Sequence, residues 1–438
     1  MIPYDLKSLY GPIRIHAQGE AQNMTGYAAP KDRNRAMDIA RGFAVMGILL
    51  MNIVAFAMPE AAYFNPDAWG GKTPADRAAW FLSFVLVDGK MRGLFSLLFG
   101  ASMLLLMDRT ELSGGNGRTR HIIRCCWLAL IGFAHYLLIW WGDILTLYAV
   151  VGLVAMFFSG KQPLQLVKLA FLAFAVHFLI LIAMMTGIHM LENAATAPGA
   201  SAGDIAAYHK VMASIGQPGS PNIAKEVALY RGDWASMVTH KADDYVGWGV
   251  AGLQYMGLDT LGFMLLGMAM LKGGFLTGKW PREQYIGTAR HCFIIGIPPM
   301  IGLAIWMMLS GFDTVTTFGA VFAWSFPFRI PLTVGFAALI FAVVTRGEPG
   351  SLLTRVEAAG RMSLSNYLAT SIVMTAIFYG WGLGLFGHVP RALCYAFVLL
   401  MWALILLWSR PWLSRFRYGP LEWLWRSLTR GRLQPIRK

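Results

Sequence analysis

The sequence predicts an all-α polytopic membrane protein with about ten transmembrane helices, and three observations carry that prediction. Of its 438 residues, 56% are hydrophobic and only 14% charged, where a typical soluble domain carries about 25% charged residues. The apolar residues fall in long blocks, each able to cross roughly 30 Å of hydrocarbon. The 47 glycines and 16 tryptophans suit transmembrane helices and membrane interfaces respectively. An ordinary soluble enzyme and a disordered chain are both excluded. The net charge of +14 reads as basic residues retained on the cytoplasmic side; no nucleic-acid motif accompanies it, so no nucleic-acid partner is expected. Cys125, Cys126, Cys292 and Cys394 lie in or beside apolar runs without ligand spacing, so neither disulfides nor a metal site is expected.

The elements follow in order. A polar cytoplasmic segment, 1–37, precedes the first apolar block, 39–58. Ala55, Phe56 and Ala57 loosely imitate a signal-peptide cleavage site, but Asp38 and Arg41 at the lip of the block favour an uncleaved span. Further spans are expected at 92–108, 121–141, 143–160, 164–188, 247–271, 288–309, 315–345, 365–387 and 391–409. Every second connection is basic: Arg109 to Arg124, Lys161 with Lys168, Lys272 to Arg290, Arg346 to Arg361, and the tail from Arg410. Both termini are therefore expected in the cytoplasm. The chain divides into a bundle at 38–187, a periplasmic segment at 188–246, a second bundle at 247–412 and a basic cytoplasmic tail at 413–438. Short interfacial helices are expected on either side of Gln217–Pro221.

Two stretches depart from a plain bundle. Residues 77–91, with Trp80, Phe84, Asp88 and Lys90, are apolar on one side only and are expected along the outer interface. The 315–345 block is too long for a straight span and carries Pro327 and Pro331, so a broken or re-entrant helix is expected near 326–331.

Charges at membrane depth are costly and mark candidate sites. His135 stands near the outer end of the third span, followed by Trp140, Trp141 and Asp143. A histidine there suits a general base oriented by the Asp143 carboxylate, or a structural ring bonded to a carbonyl. Trp140 and Trp141 read as interface anchors. Arg329, between two prolines, suits a bidentate grip on phosphate or carboxylate, or an internal ion pair. Asp38 and Arg41 share a helix face, as a structural pair or a substrate contact. Asn52 lies deeper in the same span and must find a partner. Asn366 opens the ninth span, where Ser363 or Ser365 would cap the helix. Ser96 and Gly100, four apart, permit close helix approach. No dinucleotide, phosphate-loop or hydrolase motif appears, so the cofactor-binding residues stay unknown.

At these residues the chain resembles the bacterial YeiB-like family of polytopic inner-membrane proteins. The matching runs are Arg35 through Asp38, Arg41 and Gly42 to Asn52; Gly89, Lys90 and Arg92 with Phe95–Gly100; and Gly132 and His135 through Asp143. Gly360 and Arg361 to Asn366 and Tyr367 follow, then Tyr418–Pro420 with Glu422, Trp423, Trp425 and Arg426. The family's C-terminal half is a domain of unknown function. Its N-terminal half is similar to transmembrane acyltransferases that include heparan-α-glucosaminide N-acetyltransferase. Those enzymes pass an acyl group from cytosolic acyl-CoA to a sugar on the far side, through a histidine in the loop after the first span. Here that loop, Tyr63–Gly71, holds no histidine, and none occurs between 17 and 120.

The resemblance thus implies acyl-CoA, such as acetyl-CoA, as donor substrate, with His135 standing in for the family histidine. The acceptor would be a small molecule, glycan or lipid at the outer face. A small-molecule or lipid transporter is the alternative, because intramembrane charges and a broken helix suit substrate binding at the midplane. Membrane lipids are the expected surroundings, and homodimerisation is left open.

Overall fold

The computed structural model describes residues 34–347 and 350–438; the expected N-terminal segment lies outside the described residues up to position 33. All regular elements among the described residues are helices, apart from one isolated bridge between Phe416 and Arg437. Among the described residues, seven helical runs are long and apolar enough to cross a membrane, and three shorter apolar helices accompany them.

The central element is α1 (Arg35–Ala57), started by the Asn34 side chain, which accepts from Met37 N. A short α2 (Glu60–Phe64) turns the chain into α3 (Pro74–Leu86), which opens with a reciprocal bond set between Thr73 and Asp76. After a break at Val87–Gly89 comes α4 (Lys90–Leu112). The next pair is α5 (Gly117–Leu138) and α6 (Leu145–Ala155), then α7 (Pro163–Thr196). Two short helices, α8 (Ala202–Ser214) and α9 (Pro221–Arg231), flank the expected Gln217–Pro221 interruption. A helix of 39 residues follows, α10 (Trp234–Lys272), then α11 (Arg282–Leu309). The 315–345 block comprises α12 (Thr314–Gly319), a π-turn at Ala320–Trp324 and α13 (Phe326–Val344). The interruption therefore sits just ahead of Phe326, while Pro327 occupies the first turn of α13, where its lack of an N–H costs nothing. The chain ends with α14 (Ser351–Arg361), α15 (Ser363–Phe378), α16 (Arg391–Arg415) and α17 (Pro420–Arg430).

Around α1 pack α4, α14, α15 and α16, while α10 joins α4 to α6 and α7, and α11 pairs with α13. Large apolar side chains such as Leu172, Leu179, Ile294, Leu309, Leu399 and Leu407 point outward. Such a surface is unaffordable in water and natural in lipid. The α4–α10 crossing depends on two glycines. A Cβ at Gly100 would lie 2.1 Å from the Met264 carbonyl oxygen, and one at Gly267 would lie 1.9 Å from that of Leu97. Backbone meets backbone there, as the small residues at 96 and 100 suggested.

In the 77–91 stretch α3 packs against α11 and α16 with Trp80, Phe84 and Val85 buried, while Leu82 and Leu86 stay exposed. One expected element is corrected. The ninth span stops at Phe378 instead of 387, because the following glycines fold into a turn pressed on α9. Gly380 N donates to Tyr230 O at 2.8 Å, and a Cβ at Gly380 would sit 2.1 Å from Arg231 O. The first turn of α15 is also held differently from expectation. The Glu422 carboxylate accepts from Leu364 N (2.7 Å), Ser365 N (3.1 Å) and Ser365 Oγ (2.6 Å), so a distant carboxylate supplies the cap.

Two predictions follow from this packing. Gly100→Leu should abolish recovery of folded monodisperse protein, since backbone must part by ångströms, whereas Gly302→Leu, with nothing within 4 Å, should be tolerated; size-exclusion profiles of fluorescent fusions measure both. The second concerns Glu226 on α9, whose carboxylate accepts Glu60 N at 2.9 and 3.1 Å. Burial pushes its carboxyl up to about 8. A carboxyl raised in the folded state favours folding below its unfolded value and loses that contribution as pH rises through the folded one. Hydrogen exchange across 221–231 should therefore accelerate as pH climbs from about 4.5 toward 8, after correction for intrinsic rates, and Glu226→Gln should flatten the dependence.

Candidate functional site

His135 lies in the last turn of α5, and the chain then turns through Trp140–Gly142 to bring Asp143 back beside it. His135 Nδ1 contacts Asp143 Oδ1 at 2.8 Å, with both side chains fully buried. The second carboxylate oxygen accepts Thr146 N at 2.9 Å, fixing Asp143 to the first turn of α6. With Nδ1–H donating to the carboxylate, Nε2 is the basic nitrogen, and it is buried without a hydrogen-bond partner. This dyad is the arrangement in which a carboxylate orients an imidazole for proton transfer.

The ring is walled in. Tyr367 of α15 stands 5.2 Å away, centroid to centroid, and its hydroxyl reaches Gly142 O at 3.4 Å. Beyond Tyr367 lies a narrow cleft lined by Val45, Ile48, Asn52, Phe56, Thr370 and Ser371. Asn52 is buried at the edge of this cleft. Tyr367 thus separates the dyad from the cleft. Trp140, expected at an interface, is instead 2% exposed and stacks on Phe56 at 4.0 Å. The reversal of the chain after α5 tucks it inward.

The other expected site residues are placed elsewhere. Asp38 and Arg41 pair at 2.5 Å, and Arg41 also donates to Ser102 of α4 at 2.7 Å, so the pair ties α1 to α4. Asn366 is fully buried and its amide is occupied: it donates to Ala359 O (3.0 Å) and Ser409 Oγ (3.2 Å) and accepts from Trp408 Nε1 (2.9 Å). It joins α14, α15 and α16. Arg329 reaches the α3–α4 break, donating to Val321 O and standing 3.5 Å from Asp88. Gly89 makes room for it, with φ of 74° and a would-be Cβ 2.7 Å from Arg329 Cδ.

That break gathers a group of charges, of which Asp88 and Lys90 belong to the stretch expected along the outer interface. Lys90 and Arg92 are 0% and 7% exposed. Arg92 pairs with Asp259 of α10 and donates to Thr260 Oγ1 at 3.1 Å. Asp88 accepts from Tyr63 OH at 2.7 Å. The available signal was the isolation of Arg92 and Asp259 in apolar blocks, since two lone opposite charges at depth predict each other. Among the described residues no group of His, Cys, Asp or Glu is arranged to hold a metal.

Fold and interior together define the class: a polytopic α-helical membrane protein with paired charges and a histidine–aspartate dyad inside its bundle. The model of a protein family of unknown function, DUF418, matches residues 270–432. The chain is 32% identical to the uncharacterized protein YeiB of Escherichia coli (strain K12), over 91% of this chain and 96% of that one. It is 30% identical to the uncharacterized protein YxaH of Bacillus subtilis (strain 168), over 93% and 96%. The chain belongs to the YeiB-like family. No solved structure matches it.

The Arg92–Asp259 pair yields a prediction. Asp259→Ala strands a buried guanidinium and should lower stability by about 3–5 kcal/mol, while Arg92→Met with Asp259→Leu should recover most of the loss. Thermal unfolding in one detergent reads both.

Proposed function

We propose that this protein is a transmembrane acyltransferase of the bacterial inner membrane, both termini cytoplasmic, moving an acyl group from cytosolic acyl-CoA to an acceptor at the outer face. The observation that supports this reading is the buried His135–Asp143 contact at 2.8 Å, which leaves Nε2 unpartnered. In the reaction, Nε2 takes the proton of an acceptor hydroxyl or amine as that oxygen or nitrogen attacks the thioester carbonyl. The carbonyl electrons collapse back, the C–S bond breaks, and the CoA thiolate leaves to collect a proton. Asp143 stabilises the imidazolium while it exists. The Asn52 amide, in the adjoining cleft, would donate to the oxyanion. Because Tyr367 stands between cleft and imidazole, turnover on this reading requires its ring to swing aside.

A second reading, a small-molecule or lipid transporter, draws on the two interruptions at Val87–Gly89 and Ala320–Ser325 that meet through Arg329. Discontinuous helices around buried charges suit substrate handling at depth.

The deciding experiment titrates purified protein with acetyl-CoA and follows thiol release with candidate acceptors. Acyl transfer predicts saturable binding, and a rate that falls about 10²–10⁴-fold in His135→Ala, with Asp143→Asn also impaired. Absence of any acyl-CoA affinity, together with solute counterflow in proteoliposomes, would replace this reading with transport.

A further inference from the structure

A second cleft lies on a different face of α1, between α1, α2, α3, the π-turn and the first residue of α16. Its walls include Met51, Val54, Tyr63, Trp80, Asp88 and Arg391, and it is narrow and open at its mouth. At 3.6 residues per turn, Met51 and Val54 point away from the Asn52 side of the helix, so this cleft is separate from the dyad.

Two charges line it, and they are not in the same condition. Asp88 is compensated, accepting from Tyr63 OH at 2.7 Å with Arg329 at 3.5 Å. Arg391 is 2% exposed, gives one bond to the Ala62 carbonyl, and has its Nε buried without a partner. It forms no ion pair with any described residue. The nearby carboxylate of Asp76 is occupied with Ala392 N (2.8 Å) and Thr73 Oγ1 (2.7 Å). Behind the same wall Lys90, fully buried, donates only to the Phe84 carbonyl at 2.5 Å. A guanidinium keeps its proton in any protein environment, and holding one out of water costs several kcal/mol unless an anion accompanies it.

The geometry points to this cleft as a binding site for a singly charged oxyanion on an apolar body. A carboxylate or phosphodiester group would accept from the Arg391 guanidinium, whose planar fork of donors suits an oxyanion. The apolar part would lie against Met51, Val54 and Trp80. Asp88, on the same lining, opposes a second negative charge, so a monoanion fits better than a phosphate monoester. The ligand comes either from water, as a carboxylate solute, or from the bilayer, as a phospholipid headgroup.

The test uses the full-length protein in neutral-detergent micelles. Calorimetric titration with hexanoate, against hexanamide as the uncharged control, probes the solute; native mass spectrometry of co-purified phospholipid probes the lipid. Arg391→Gln should weaken the interaction at least roughly tenfold. Because Arg391 also holds Ala62, Ser83→Leu serves as a second variant that fills the cleft without removing a charge; it should weaken the interaction likewise. Saturable hexanoate binding or a retained phospholipid, lost in both variants, supports the site and names its source. The proposal is overturned if hexanamide binds as tightly as hexanoate without any retained phospholipid, if both variants keep wild-type binding, or if neither probe binds. His135→Ala leaves this site untouched, so failure here and failure of the acyl-transfer reading are separable.

Discussion

The constraint on which this structure depends is that charges buried among apolar helices must be answered by other parts of the same protein. In a bilayer core water cannot satisfy them, and each uncompensated polar group costs several kcal/mol. The chain meets this demand by joining distant segments: Arg92 to Asp259, Arg329 to Asp88, His135 to Asp143. These contacts also fix geometry. Arg329 brings α13 against the α3–α4 break, and Arg92 ties α4 to α10 at the helix pair already brought close by Gly100 and Gly267. Polar pairing sets which faces meet, and glycine sets how closely.

The dyad and the Arg391 cleft illustrate two ways a bundle can depart from that rule. At His135 one nitrogen is paired and the other is unpartnered, so the ring is oriented while its basic nitrogen stays unspent. At Arg391 a permanent cation forms no ion pair with any described residue and gives one bond, to a carbonyl. Polar groups left short of partners inside a native protein call for explanation. Here they sit beside clefts, on different faces of α1.

Several residues expected at a site also hold helices together in the fold. Asn366 has the position of a site residue, at the mouth of an apolar block, yet its amide links three helices. Asp38 and Arg41 brace α1 against α4. The burial of Arg391 and Lys90 has no signal in the sequence, because each begins an apolar run, where a basic residue usually marks the membrane surface. Only their burial distinguishes them from anchors.

What the sequence determined by itself was the class of fold and most of its elements, because hydrocarbon thickness imposes long apolar runs that any reader of the chain can see. It also exposed the Ser96–Gly100 spacing, the divided 315–345 block and His135 with Asp143, because these signals are local. The tertiary structure alone decided that Asp88, Lys90 and Arg92 turn inward, that Glu422 caps α15 from 57 positions away, and that Tyr367 screens the dyad. Each of these depends on a partner remote in the chain, and no spacing within a single segment encodes which distant helix will lie against it.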